Sequence, residues 1–247
     1  MPTYSRPQND LARLVFLKRA ATTGAQDLKS GDACVSQETV DAINTFLPDF
    51  EAAVNTISEK LGDRVQEVQE RGAAIERVAL YVRDFWAVLK RRAKRLDQPA
   101  KVLTLYRLPL DGTVPKSITQ EQWIELAAQV VQGDELAVKA GFPAMQNPSA
   151  AELAAVLKTA QSESDDVAMA DRAYDKAQEA IAALRAQADE LISDMMAETR
   201  YLLRKKDAAS QRRIQRTYGA TFAYLKGEPI DADDVVAKGA VVAEEVV

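Results

Sequence analysis

Residues 47–96 read LPDFEAAVNTISEKLGDRVQEVQERGAAIERVALYVRDFWAVLKRRAKRL. Positions seven apart in this stretch are Leu47, Val54, Leu61, Val68, Ile75, Val82, Leu89 and Leu96, and every one is apolar. A second run repeats the pattern about fifty residues later, through Leu153, Ala160, Val167, Tyr174, Ile181, Ala188, Met195, Leu202 and Ala209. Sustained heptads of this length place one apolar stripe along each of two long helices. The expected fold is therefore all-α: a long antiparallel helical hairpin, coiled-coil-like, with a small helical head inserted at the tip and a short N-terminal helix.

The stripe is wider than a two-helix seam requires. Besides the heptad positions, Val65 and Trp86 on the first helix and Leu157 and Ile192 on the second extend it. A broad apolar face buries itself against more than one neighbour, so a third surface is expected to cover it.

Working outward, the chain divides into five stretches belonging to one structural unit. Residues 1–35 hold a short helix over 8–23, with Asn9 or Asp10 as its cap, and a loop opened by Thr23-Gly24. Ser36 caps the first long helix, 36–97, which Pro48 kinks near Leu47 or restarts. Residues 98–148 form the head. There Val102–Tyr106 and Leu108–Pro115 read as short extended pieces, and Thr119 with Gln122 forms a capping box for a helix that runs up to Gly133, with a weaker turn following through Leu136 and Val138. The second long helix, 149–218, starts at Ser149 and contains no proline or glycine before Gly219. Residues 219–247 carry an aromatic turn and an acidic, valine-rich tail expected to lack fixed structure or to dock loosely. Gly62 and Gly72 interrupt the first long helix as either close-approach points or tolerated weak points.

Charge follows the helices. Acidic residues begin each long helix (Glu38, Asp41, Asp49, Glu51; then Glu163, Asp165, Asp166) and basic ones end it (Lys90, Arg91, Arg92, Lys94, Arg95; then Arg200, Arg204, Lys205, Lys206). This gradient opposes each macrodipole, and in an antiparallel pair it also sets acid against base at both ends.

Composition removes whole classes of function. The 247 residues include no histidine, so imidazole bases, Ser-His and Cys-His dyads and the Glu-x-x-His pairs of di-iron bundles are absent. No glycine-rich phosphate loop is present. Cys34 has no second cysteine to pair with, which suits a reducing compartment. The acidic cluster Glu163, Asp165, Asp166 diverges around a helix and reads as a solvated face. A net charge of -5 gives no global footprint for nucleic acid, and the basic ends read as helix termini. The chain is accordingly expected to be cytoplasmic, not an enzyme, and free of cofactor and metal.

What remains is a non-catalytic structural or protein-interaction scaffold. It self-associates or docks a protein partner through its long helices, with Trp86, Trp123, Phe142 and Met145 as candidate partner contacts. The alternative is a membrane-surface protein held by its N-terminal helix, with Leu11, Leu14, Val15 and Lys18 against lipid. In outline, an amphipathic N-terminal helix ahead of a long hairpin resembles the membrane-remodelling proteins of the phage-shock and ESCRT-III type. No motif accompanies that outline, and those hairpins carry no fifty-residue head at the tip.

Overall fold

The computed structural model describes residues 2–111, 113, 118–227 and 230. The protein is all-α. Its elements among these residues are β1 (Thr3–Ser5), α1 (Asp10–Ser30), α2 (Gln37–Arg95), α3 (Lys101–Leu105), α4 (Gln120–Lys139), α5 (Ala150–Leu203), α6 (Ala208–Thr217) and β2 (Thr221–Ala223). No described helix is long and apolar enough to cross a membrane. The acidic tail from Asp231 onward, and the part of the head at Gly112 and 114–117, lie outside the described residues.

Two compact units divide the chain. The first contains residues up to Ser58 together with those from Lys176 onward, and the second contains Glu59–Asp175. The helices α2 and α5 each contribute to both.

In the first unit, α1 supplies the third surface that the wide stripe requires. Phe16, Leu17 and Ala20 of α1, Val40, Ile43 and Phe50 of α2, and Ile181, Ile192 and Met195 of α5 form one buried cluster, closed by Tyr218. Asn9 caps α1 by accepting the Ala12 amide hydrogen. The helix does not stop at Thr23-Gly24 as its composition suggests; it runs to Ser30 and ends where Gly31 turns left-handed at φ 80°. Gly24 instead lies where α1 meets the start of α2. A Cβ there would stand 2.6 Å from Val40 Cγ2, so the glycine permits close packing. Ser36 does cap α2, accepting the Thr39 amide hydrogen at 3.2 Å, and Glu198 of α5 accepts from the Ser36 amide and from both hydroxyls. Pro48 lies inside a helix that continues on both sides of it.

The second long helix is not continuous to Tyr218. It breaks at Arg204–Asp207, where Asp207 accepts the Ser210 amide hydrogen at 2.9 Å and starts α6. Past α6 the chain returns to its beginning: β2 pairs antiparallel with β1, Tyr4 opposite Phe222.

In the second unit the head covers the stripe. Ile75, Val78, Val82, Phe85 and Leu89 of α2 pack with Leu153, Leu157 and Ala160 of α5 and with Trp123, Ala127 and Val130 of α4. The capping box at Thr119 and Gln122 is present in both directions. Residues 102–106 are not extended. They form the single turn α3, ending at Tyr106, because Val102 and Tyr106 are both needed in the core. Nor does α4 stop at Gly133; it continues to Lys139, and Gly133 lies against the Leu105 carbonyl. Gly62 and Gly72, in contrast, have nothing within 4 Å of an added Cβ.

Candidate functional site

The residues singled out as partner contacts are packed into the second unit. Trp86 is fully buried and its indole Nε1 donates to the Tyr106 carbonyl at 2.9 Å. Trp123 and Met145 are buried too, Trp123 beneath the Arg83 guanidinium, 4.8 Å from the ring centroid. Phe142 is half-buried against the same core. These side chains hold the head onto α2 and offer little surface to anything else.

A buried polar knot fixes the head further. Asp134 accepts from the Tyr106 hydroxyl and from the Met145 amide, each at 2.9 Å. Arg92 donates to the carbonyls of Pro143 and Ala144. Burial and the neighbouring Asp134 push the Tyr106 phenol up to about 12, while Arg92 opposes them. The knot ties the head to α2.

The membrane-contact candidates of α1 divide between the two sides of the helix. Leu14 is buried in the first unit, Leu11 and Val15 are exposed, and Lys18 pairs with Glu51 of α2. One face of α1 therefore belongs to the core.

The acidic cluster differs from its reading in sequence. Asp165 points outward, and Glu67 of α2 joins Glu163 and Asp166 so that one oxygen from each lies within 4.8 Å of the others. Partial burial and the charges of Glu70, Asp166, Glu163 and Asp63 raise the Glu67 pKa. Three carboxylates can hold a hard cation, and equally they form a mutually repelling acidic face.

Two cations at the end of α5 meet aromatic rings. Arg200 lies over the Tyr4 ring and Arg204 over the Tyr201 ring, 5.5 and 4.0 Å from the centroids. An ion pair between Arg64 and Asp171 joins α2 to α5 within the second unit.

One surface stands out. No α2 side chain between Val54 and Ile75 is buried. Within that stretch Leu61, Val65 and Val68 remain 41%, 50% and 41% exposed, and their i, i+4, i+7 spacing places them on one face of the helix. Of the four residues that broaden the seam, Trp86, Leu157 and Ile192 are covered by the chain itself and Val65 is not. Seam width signalled this face in the sequence; which part stays uncovered depends on where the head ends.

Comparisons of the chain with known protein families, with curated proteins and with solved structures find no match.

Proposed function

We propose that this chain is a non-catalytic scaffold that self-associates or docks a protein partner through its long helices, the contact being the uncovered face at Leu61, Val65 and Val68. The observation that carries the reading is this apolar stripe, left open where α4 covers the rest of the seam in the second unit. Burying what remains exposed of each such side chain, about half, stabilises a complex by about 1 kcal/mol before association costs. A stripe with that much to gain is seldom left in water.

The finer architecture in this proposal is an antiparallel hairpin. Within the second unit Arg64 meets Asp171 and Glu67 meets Glu163 and Asp166, so positions rise along α2 as they fall along α5 there. Absence of histidine and the structural use of the buried polar groups support the non-catalytic part.

Light scattering in line with size exclusion, over a range of concentrations, tests the self-associating form. A mass rising above the 27.1 kDa of one chain is the expected result. A mass of one chain throughout removes self-association and leaves a different protein as the occupant.

The alternative, a protein docked on a membrane surface through α1, has the exposed Leu11 and Val15 in its favour. Burial of Leu14, Phe16 and Leu17 in the first unit counts against it, since lipid would have to displace packing already made. Sedimentation with anionic liposomes that is lost when Leu11 and Val15 become serine would favour it over the scaffold.

A further inference from the structure

The basic residues that end α2 are put to two uses. Arg92 turns to the head, donating to the carbonyls of Pro143 and Ala144 at 2.7 and 3.0 Å. Arg91, Lys94 and Arg95, at i, i+3, i+4 spacing, share another face of the helix. All three are exposed, and none has a carboxylate partner among the described residues. The helix macrodipole favours cations at this end, but it is indifferent to the side of the helix they occupy. Here all three line one groove of about 790 Å³ in the second unit, completed by Val88 and by Gln146 and Asn147 of the head. The groove carries three cations, two amides and no carboxylate, in a chain with 37 acidic and 32 basic residues.

The wall facing α2 is held before anything binds. Arg92 fixes the carbonyls of Pro143 and Ala144, and the Met145 amide donates to buried Asp134 at 2.9 Å. Gln146 and Asn147 follow directly; both are exposed, and their side-chain amides are unpaired among the described residues. Beyond Arg91 the charge changes sign. Val88, Arg91 and Asn147 also line an adjoining hollow of about 510 Å³, where the exposed carboxylates of Asp84 and Glu152 stand beside Tyr81 and Pro148. A nucleic-acid backbone, negative throughout, would gain at Arg91, Lys94 and Arg95 and be repelled at Asp84 and Glu152. A small anion would leave the second hollow unused. A peptide can change sign along its length and meet both.

We propose that this groove docks an extended segment of a partner protein, acidic at one end and basic at the other. Its acidic residues lie against Arg91, Lys94 and Arg95, its basic residue meets Asp84 and Glu152, and an apolar side chain between them rests on Val88. Gln146 and Asn147 bond the segment's backbone. Because the wall is already fixed, little ordering of this chain opposes binding. The groove is a different surface from Leu61, Val65 and Val68, so it adds a contact to the scaffold reading without depending on it.

Fluorescence anisotropy with the full chain tests it. The probes are labelled Glu-Glu-Glu-Val-Ala-Lys and its reverse, Lys-Ala-Val-Glu-Glu-Glu; the controls are Lys-Lys-Lys-Val-Ala-Glu, hexaglutamate and single-stranded oligothymidylate. One of the two probes is expected to bind, more weakly as salt rises. Hexaglutamate and oligothymidylate should bind less tightly, and the lysine-rich peptide not at all. Arg91→Gln, Lys94→Gln and Arg95→Gln should each weaken the probe about two- to fivefold, and the triple variant should abolish binding while its melting curve shows the fold intact. Asp84→Asn separates charge order from bulk attraction: it should weaken the probe and strengthen hexaglutamate. Val65→Glu should leave probe binding unchanged whether or not the chain self-associates. No anisotropy change at near-millimolar chain, equal binding of the lysine-rich peptide, or affinity unchanged in the triple variant would overturn the proposal. So would strengthening of probe and hexaglutamate alike by Asp84→Asn, or tighter binding of oligothymidylate than of the probe, which would make the groove a nucleic-acid contact.

Discussion

Gly133 of α4 lies so close to the end of α3 that a Cβ added to it would stand 2.3 Å from the Leu105 carbonyl oxygen. Backbone cannot yield as a side-chain tip can, so Gly133→Ala is expected to cost about 1–3 kcal/mol or more through overpacking. Gly24→Ala should cost less, since the obstructing atom is a Val40 methyl. Gly62→Ala and Gly72→Ala should have the opposite sign, stabilising by about 0.5–1 kcal/mol because both positions are helical and open. Thermal unfolding of the four variants checks the order; stabilisation by Gly133→Ala would mean that α3 and α4 do not approach as described.

The same four glycines explain much of what the sequence concealed. A glycine's local signature is the same whether it ends a helix, weakens one or admits a neighbouring backbone, and only tertiary packing separates the cases. Local signals served well where the chemistry is local: the Thr119 and Gln122 box, the Ser36 cap, the heptads themselves. They failed where the partner is distant in sequence. β1 finds β2 across more than two hundred residues, and the Asp207 cap was masked by an apolar repeat that continued through Leu202 and Ala209. Trp123 and Met145 read as contacts because large side chains in a head suggest binding, and Trp86 because it widens the stripe of the first long helix, but the same side chains are what a small core is built from.

Tyr106 predicts the alkaline limit of the second unit. Its phenol titrates at about 12 in the folded chain and near 10 when unfolded, so between those values the folded state holds the proton more tightly. Stability is complete below about pH 10 and falls as pH rises toward 12. Tyr218 acts in the same direction, its phenol raised by burial and by the bond it donates to Asp27. Melting temperature measured from pH 8 to 11 should drop at the upper end. Tyr106→Phe should lower it at pH 8, by roughly 1–2 kcal/mol for the lost bond to Asp134, and flatten the decline. A profile unchanged by that substitution would contradict the assignment.

Glu198 sets an acid limit for the first unit. Burial works against its ionisation, but the bonds from the Ser36 amide and from the Thr39 and Ser36 hydroxyls outweigh burial and hold its pKa below the usual range. A lowered carboxylate pKa contributes stability that is present above about pH 4.5 and lost as pH falls through the folded value. Asp10 adds to the effect through its bond with Arg185. Glu198→Gln is expected to cost about 1–2 kcal/mol at pH 7 and progressively less as pH falls through the folded value. Hydrogen exchange at the first turn of α2 should accelerate in the variant at neutral pH; equal protection in both chains would show that Ser36 caps the helix without help from α5.

The uncovered face of α2 gives a prediction in which fold and association separate. Val65 is half exposed and a Cβ at the neighbouring Gly62 would meet nothing, so a charge on this face disturbs no packing within the chain. Val65→Glu and Val68→Lys are therefore expected to leave the melting temperature of a dilute sample within a few degrees, since exposed substitutions fall within about 0.5 kcal/mol. In a complex that buries this stripe the same charges would be desolvated without partners, at a cost of several kcal/mol. The assembled mass should fall to that of one chain in either variant, while Leu110→Glu, on an exposed leucine of the head, should leave it unchanged. If Leu110→Glu dissociates the assembly and Val65→Glu does not, the contact lies on the head, and the open stripe on α2 is a solvated stretch of a long helix.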